Sequence, residues 1–220
     1  MRLRYLTHLT HLTHLTLFEP FDLFDSFDLF DSFNLSDLHL PDINLRNTNL
    51  ALYDTVSMTR IGIISDTHGF LDQNVFTHFK NCDEIWHAGD FGTGVAEKLA
   101  DFKPLKGVYG NIDDQQIRLQ YPEQLNFDCE QVKVMMRHIG GAPPRYNPET
   151  KNELLLHKPN LFISGHSHIL KVIYDDKISC LHINPGAAGK QGWHKIRTIV
   201  RLTIEGNNMK DCEVIELGRR

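Results

Sequence analysis

Along the chain, the rhythm of apolar and polar positions changes at about residue 58. Upstream, residues 6–16 repeat Leu-Thr-His with period three, and residues 21–33 repeat Phe-Asp-Leu-Phe-Asp-Ser with period six. A helix advances about 100° per residue, so Phe21, Phe24, Phe27 and Phe30 slip by about 60° at each step and hold no single face. Thr, His and Asp also break the apolar runs too often for a signal peptide or for a membrane span of about 20 apolar residues. Residues 1–57 are therefore expected to be a disordered low-complexity extension or a misassigned upstream reading frame. Met58-Thr59-Arg60 then reads as the authentic start, with 58–220 as the folded domain.

From Ile61 onward strand and helix signals alternate. Ile61–Ile64 is a buried-strand run; Asp72 is placed to cap a helix through about Lys80, with Val75, Phe76 and Phe79 on one face. Glu84–His87 predicts a short strand, Val95, Leu99 and Phe102 mark a second helix, and Leu105–Tyr109 a third strand. This βαβαβ series predicts an α/β fold with its site along one sheet edge. In the second half, Gln131–Arg137 alternates with Val132, Val134 and Met136 on one side. A helix is expected over Pro148–His157, ended by Pro159, and a strand over Leu161–Ser164. Lys171–Tyr174 and Ile178–Ile183 read as a hairpin, and Arg197–Glu205 with Cys212–Leu217 as a looser one. Two packed sheets with helices outside would accommodate both halves.

Several of these strands end in the same way, with polar groups at their C-termini: Asp66 and His68, then Gly89-Asp90, Gly110-Asn111, His138, and His166 and His168 after Gly165. Two carboxylates, one amide and four imidazoles are too many donors for one tetrahedral ion but suit two divalent ions sharing a carboxylate. Mixed oxygen and nitrogen donors without thiolate favour manganese, iron or catalytic zinc over a structural zinc site.

Composition narrows the setting. Four cysteines, Cys82, Cys129, Cys180 and Cys212, form no Cys-x-x-Cys pair, which predicts a reduced, cytoplasmic protein. Residues 1–57 carry 3 Lys/Arg against 8 Asp/Glu, whereas 58–220 carry 20 of each. The balanced body advertises no nucleic-acid surface, so attraction for a phosphorylated substrate must come from bound metal.

The order Asp-x-His, Gly-Asp, Gly-Asn-x-Asp, His, Gly-His-Ser-His resembles the calcineurin-like metallophosphoesterases, in particular their small stand-alone phosphodiesterase branch, over residues 61 to about 189. The resemblance implies a four-layer α-β-β-α sandwich with a dinuclear metal site at strand C-terminal ends. Carried over residue by residue, Asp66, His68 and His168 would hold one ion, Asn111, His138 and His166 the other, and Asp90 would bridge. The Asn184-Pro185-Gly186 turn fits the same pattern. Two ions about 3.5–4 Å apart can activate a bridging water and grip phosphoryl oxygens. The expected function is hydrolysis of a small phosphodiester by a metal-bridging hydroxide. Manganese is the first choice of metal, with zinc, iron and nickel as alternatives. A phosphomonoesterase and a non-catalytic scaffold of the same fold are the competing readings.

Relatives commonly carry histidine after the motif's Asn, placed to protonate the leaving oxygen, whereas this chain has Ile112. His138 is followed by Ile139, where the family often has glycine. His87 is a candidate for orienting a metal ligand, and Asn111 and Arg145 for meeting the substrate. His78, His157, His182 and His194 have no motif around them, and Trp86 and Trp193 read as packing residues.

Overall fold

A computed structural model describes residues 57–220; the expectations for the low-complexity segment fall, apart from Ser57, outside the described residues. In chain order the elements are β1 (Met58–Ile64), α1 (Asn74–His78), β2 (Glu84–His87), α2 (Val95–Phe102), β3 (Leu105–Gly107) and α3 (Gln115–Gln120). Next come β4 (Gln124–Cys129), β5 (Val132–Arg137), β6 (Gly141–Ala142), β7 (Arg145–Tyr146), α4 (Pro148–His157) and β8 (Leu161–Ile163). The chain closes with β9 (Lys171–Asp175), β10 (Cys180–Asn184), β11 (Ile196–Glu205) and β12 (Asn208–Arg219).

Strand period explains how these pack. In β1, Ile61 and Ile63 face one way and Gly62 and Ile64 the other. Ile61 and Ile63 join Trp86, Val134, Met136, Leu161, Ile163, Ile183 and Val200 in one apolar cluster that draws on both large sheets. Ile64 instead meets Val75, Phe79, Val95, Leu99 and Ile117, which belong to or adjoin the first three helices. Gly62 belongs on that side because a Cβ there would lie 2.7 Å from the Phe79 ring. On the far sheet, Met135, Phe162 and Cys180 pack with Leu154 of α4.

Both large sheets are five-stranded and mixed. One runs β12-β11-β1-β2-β3, the other β4-β5-β8-β10-β9, and β6 and β7 form a separate two-stranded ribbon. The first has a parallel core β1-β2-β3, and the second has β5-β8-β10. Parallel neighbours put their C-terminal ends on the same edge, which is the property the site requires.

The structure corrects several expected elements. Helix α1 stops at His78, with Phe79 as its C-cap, and Gln73 occupies its N-cap, because the Asp72 carboxylate is shared between the Asn74 N–H and Arg197. The second hairpin is tight: Glu205 pairs with Asn208 across Gly206-Asn207, and β12 runs from Asn208 through two register shifts. Helix α3 and strand β4 went unanticipated. Only Ile117 of α3 is buried, so its polar sequence gives no helical stripe.

Under α4, His182 sits fully buried with Nε2 3.0 Å from Ser164 Oγ and Nδ1 without a partner. Burial lowers its pKa to about 4. Its folded pKa lies below the unfolded value, so its contribution to stability is complete above about pH 6.5 and is lost as pH falls toward 4. The expected loss is on the order of 3 kcal/mol over that window. Urea unfolding of the protein and of His182→Gln between pH 7 and 4.5 measures it; equal pH slopes would refute it.

Candidate metal centre

The loops after β1 and β2 continue their strands' pairing. Ala88 N–H donates to Ile64 O, Asp66 N–H to Gly89 O, and His68 N–H to Asp90 O. This rail fixes Asp66 and His68 beside Asp90. On the other sheet, Gly165 N–H donates to His138 O, so the loops after β5 and β8 are joined in the same way. The two edges are then tied across: His138 Nδ1–H donates to Ala88 O at 2.7 Å, and His166 N–H to the Asp66 carboxylate at 3.1 and 3.2 Å.

The backbone bends sharply to bring these side chains inward. Asp66, His68, Asp90, His166 and His168 all have φ between 49° and 65°, and they are five of the nine non-glycine residues with positive φ among those described. Such residues cost roughly 1–3 kcal/mol each and cluster where function over-determines the backbone. Glycines make room. A Cβ on Gly89 would lie 2.5 Å from His138 Nδ1, and one on Gly110 would lie 2.0 Å from Asp90 Oδ1.

Six of the seven candidate ligands form two groups whose donor atoms lie within 4.8 Å of one another: Asp66, His68 and His168, and Asp90, His138 and His166. Asp66, Asp90 and His138 are buried. His68 Nε2 and His168 Nε2 face each other at 3.2 Å, and His168 Nε2 lies 3.1 Å from Asp66 Oδ1. Asp90 Oδ2 lies 3.2 Å from His138 Nε2 and 3.8 Å from His68 Nε2, between the groups. Asn111 is exposed and lines a cavity of about 210 Å³ next to His138.

This donor set fits divalent metal. His138 Nδ1–H is committed to Ala88, so Nε2 is the nitrogen turned toward the carboxylates, and that atom is buried without a hydrogen-bond partner. Two buried carboxylates in mutual proximity are costly unless cations compensate them. Imidazoles partly do so. Hydrogen bonding to Asp66 raises the His168 pKa, while burial opposes protonation of His138 but is outweighed by Asp90 and Asp66. Burial lowers the His68 pKa, leaving a neutral nitrogen donor.

His87 bonds no candidate ligand side chain. It accepts from Gly89 N–H at 3.2 Å, and its Nε2 lies 3.0 Å from Thr67 Oγ1, whose hydroxyl donates to Phe91 O at 2.7 Å. Burial drives its pKa well down, so it holds the two loops together as a neutral ring. Arg145 is exposed on β7 and is not among the residues lining the cavities at His68, His138 and His166.

Other contributors stand outside the candidate ligand set, and of these only Asn184, in its Asn-Pro-Gly turn, carried a motif. Ser65 donates to Asp66 Oδ2 at 2.6 Å, and Asn184 donates to Gly165 O and Ser167 Oγ. His194 stands edge-on to His168 at 5.3 Å, placed there by the loop after β10. On that loop Trp193 is fully exposed, which corrects its reading as a packing residue. Gly192 abuts the His168 ring and His194 adjoins it, so the residue between them is left pointing outward. Trp86 is buried, edge-on to Phe127.

Residues 59–207 match the calcineurin-like phosphoesterase superfamily domain. A probable metallophosphoesterase of Mycoplasma pneumoniae is 30% identical over 161 residues, covering 70% of this chain and 95% of that protein. Among solved structures, a Thermotoga maritima protein superposes with a TM-score of 0.56 at 24% identity, over 72% of this chain and 99% of its own. Entamoeba histolytica Vps29 in complex with zinc gives a TM-score of 0.55 at 17% identity, covering 72% and 99%.

Proposed function

The chain belongs to the calcineurin-like phosphoesterase superfamily, and from that premise we propose that it is a cytoplasmic, metal-dependent phosphodiesterase acting on a small phosphodiester. In this reading the two sheets and their helices form a four-layer α-β-β-α sandwich. Asp66, His68 and His168 would hold one divalent ion and Asn111, His138 and His166 the other, with Asp90 placed between the two groups. The observation that carries the proposal is the buried, unpartnered His138 Nε2 aimed between Asp90 and Asp66.

Two divalent ions held there would supply Lewis-acid activation of water and positive charge for the phosphoryl oxygens. Manganese comes first; the zinc bound by the Entamoeba Vps29 makes zinc the next metal to try. The chain's own part is placement. The paired loops hold Asp66 and Asp90 in fixed relation, and the Ala88 carbonyl sets the His138 tautomer that leaves Nε2 free. Among the described residues no helix is long and apolar enough to cross a membrane.

Ile112 bears on the leaving group. Its side chain, which occupies the acid's place in the motif, is a hydrocarbon with no proton to give, and its N–H is already committed to Asp90 Oδ1 at 3.0 Å. Esters with acidic leaving groups should therefore turn over at least about 10²-fold faster than alkyl esters. The test uses the full chain, stripped of metal and titrated with manganese, on aryl and alkyl phosphodiesters and on an aryl phosphomonoester. Metal-dependent hydrolysis of the aryl diester alone is the expected result. Equal rates on aryl and alkyl diesters would defeat the leaving-group argument. Tight metal binding with no turnover would defeat the enzyme and favour a scaffold, for which the edge strand β9, with Val172, Ile173 and Tyr174 exposed, offers a docking surface.

A further inference from the structure

A cavity of about 330 Å³ opens beside His68, within the size range of small-ligand sites. Its walls come from the loops after β1, β2 and β10, the last giving Gln191, and from the loop after β3, which brings Ile112 with Ile117 of α3 beside it. Thr93 adds a neutral hydroxyl. No lysine or arginine is among the lining residues.

The two carboxylates in the wall are already committed. Asp113 accepts from Gly92 N–H at 3.0 Å and Gly110 N–H at 2.8 Å, and Asp114 accepts from Ile117 N–H at 3.0 Å. They offer no partner to an anion. A second phosphate or a carboxylate placed here would lie against two carboxylates and meet no lysine or arginine. The cavity at His138 differs, since Arg118 and Arg137 are among its walls.

Ile112 is held rigidly. Its N–H is bound to Asp90, and Arg118 ties the loop by donating to the carbonyls of Gly110, Asn111 and Asp113 while its guanidinium lies 4.4 Å from the Tyr109 ring. The side chain nonetheless remains 47% exposed, an apolar surface with room in front of it. We propose that this cavity seats an uncharged, apolar or planar arm of the phosphoester, and that Ile112 sets the preference for it. The proposal deepens the phosphodiesterase reading and rests on it for the location of the phosphorus.

Binding and turnover test it separately. With the manganese-loaded full chain, calorimetry should show phenylphosphonate binding about tenfold more tightly than methylphosphonate, from burial of the ring. It should also bind more tightly than 4-phosphonobenzoate, which carries an extra carboxylate into the cavity. Ile112→Lys should reverse that second preference, and Ile112→Ala should weaken the first. In turnover, phenyl p-nitrophenyl phosphate should exceed its 4-carboxyphenyl counterpart in kcat/KM, with the order reversed in Ile112→Lys. A protein that hydrolyses no ester yet shows the binding preferences and their reversal would remove the enzyme reading and keep the cavity assignment. Preferences unchanged within twofold in both variants would overturn the assignment, whether or not esters are hydrolysed.

Discussion

Asp90→Asn is expected to lower metal-dependent turnover by about 10³-fold, as for loss of a group that stabilises charge at the reacting centre. The reason is position. Asp90 Oδ2 is the oxygen that faces both His138 and His68, and Oδ1 is held by the Ile112 N–H. An asparagine can keep the acceptor for Ile112, so the fold should survive, but it would turn a neutral amide toward the imidazoles. Charge at the junction of the two groups is then lost, and metal stoichiometry should fall from two per chain to one or none. Turnover and metal content measured on the same preparation decide the matter. A variant within tenfold of the parent, with two ions bound, would show that Asp90 does not join the groups.

The second large effect falls on Gly110. This glycine needs no unusual φ, and its obstacle is contact: an added Cβ would lie 2.0 Å from Asp90 Oδ1 and 2.4 Å from the Asp90 nitrogen. The neighbour is the short Asp90 side chain and its own nitrogen; Oδ1 is held by the Ile112 N–H and the Asp90 backbone is tied to His68, so it cannot move aside cheaply. Gly110→Ala should cost about 1–3 kcal/mol through overpacking and about 10²-fold in turnover through displacement of Asp90. Gly94 supplies the control. Its φ is +72° but nothing lies within 4 Å of a Cβ there, so Gly94→Ala reports backbone strain alone, about 1 kcal/mol, without touching activity. If the two variants behave alike in melting and in turnover, the tight packing around Asp90 has no functional weight.

Much of this arrangement was legible in the sequence because parallel strands deliver their C-termini to one edge. A strand run ending in Asp, Asn or His marks each delivery, with a glycine just before Asp90, Asn111 and His166. The grouping of Asp66 with His68 and His168, and of His138 with His166, was implied by the family resemblance, and these side chains do lie together. What was not legible depends on contacts between loops far apart in sequence. The His87 link to Thr67, the approach of His194 to His168 and the outward turn of Trp193 leave no local periodicity. Helix α3 was missed for a related reason. Arg118 serves the loop carbonyls and Ile117 is its single buried residue, so it is held by its surroundings and carries no apolar stripe.

The left-handed backbone at the five site residues sets endurance against chemistry. Aspartate and histidine are tolerated there, but glycine is the residue that relaxes such a conformation. Selection for heat resistance alone would therefore drift toward glycine at the positions that supply the donors, and each gain would erase a ligand. Efforts to harden this protein belong on the helices and on the exposed β9 edge, because at the centre the most stable sequence and the most active one are different sequences.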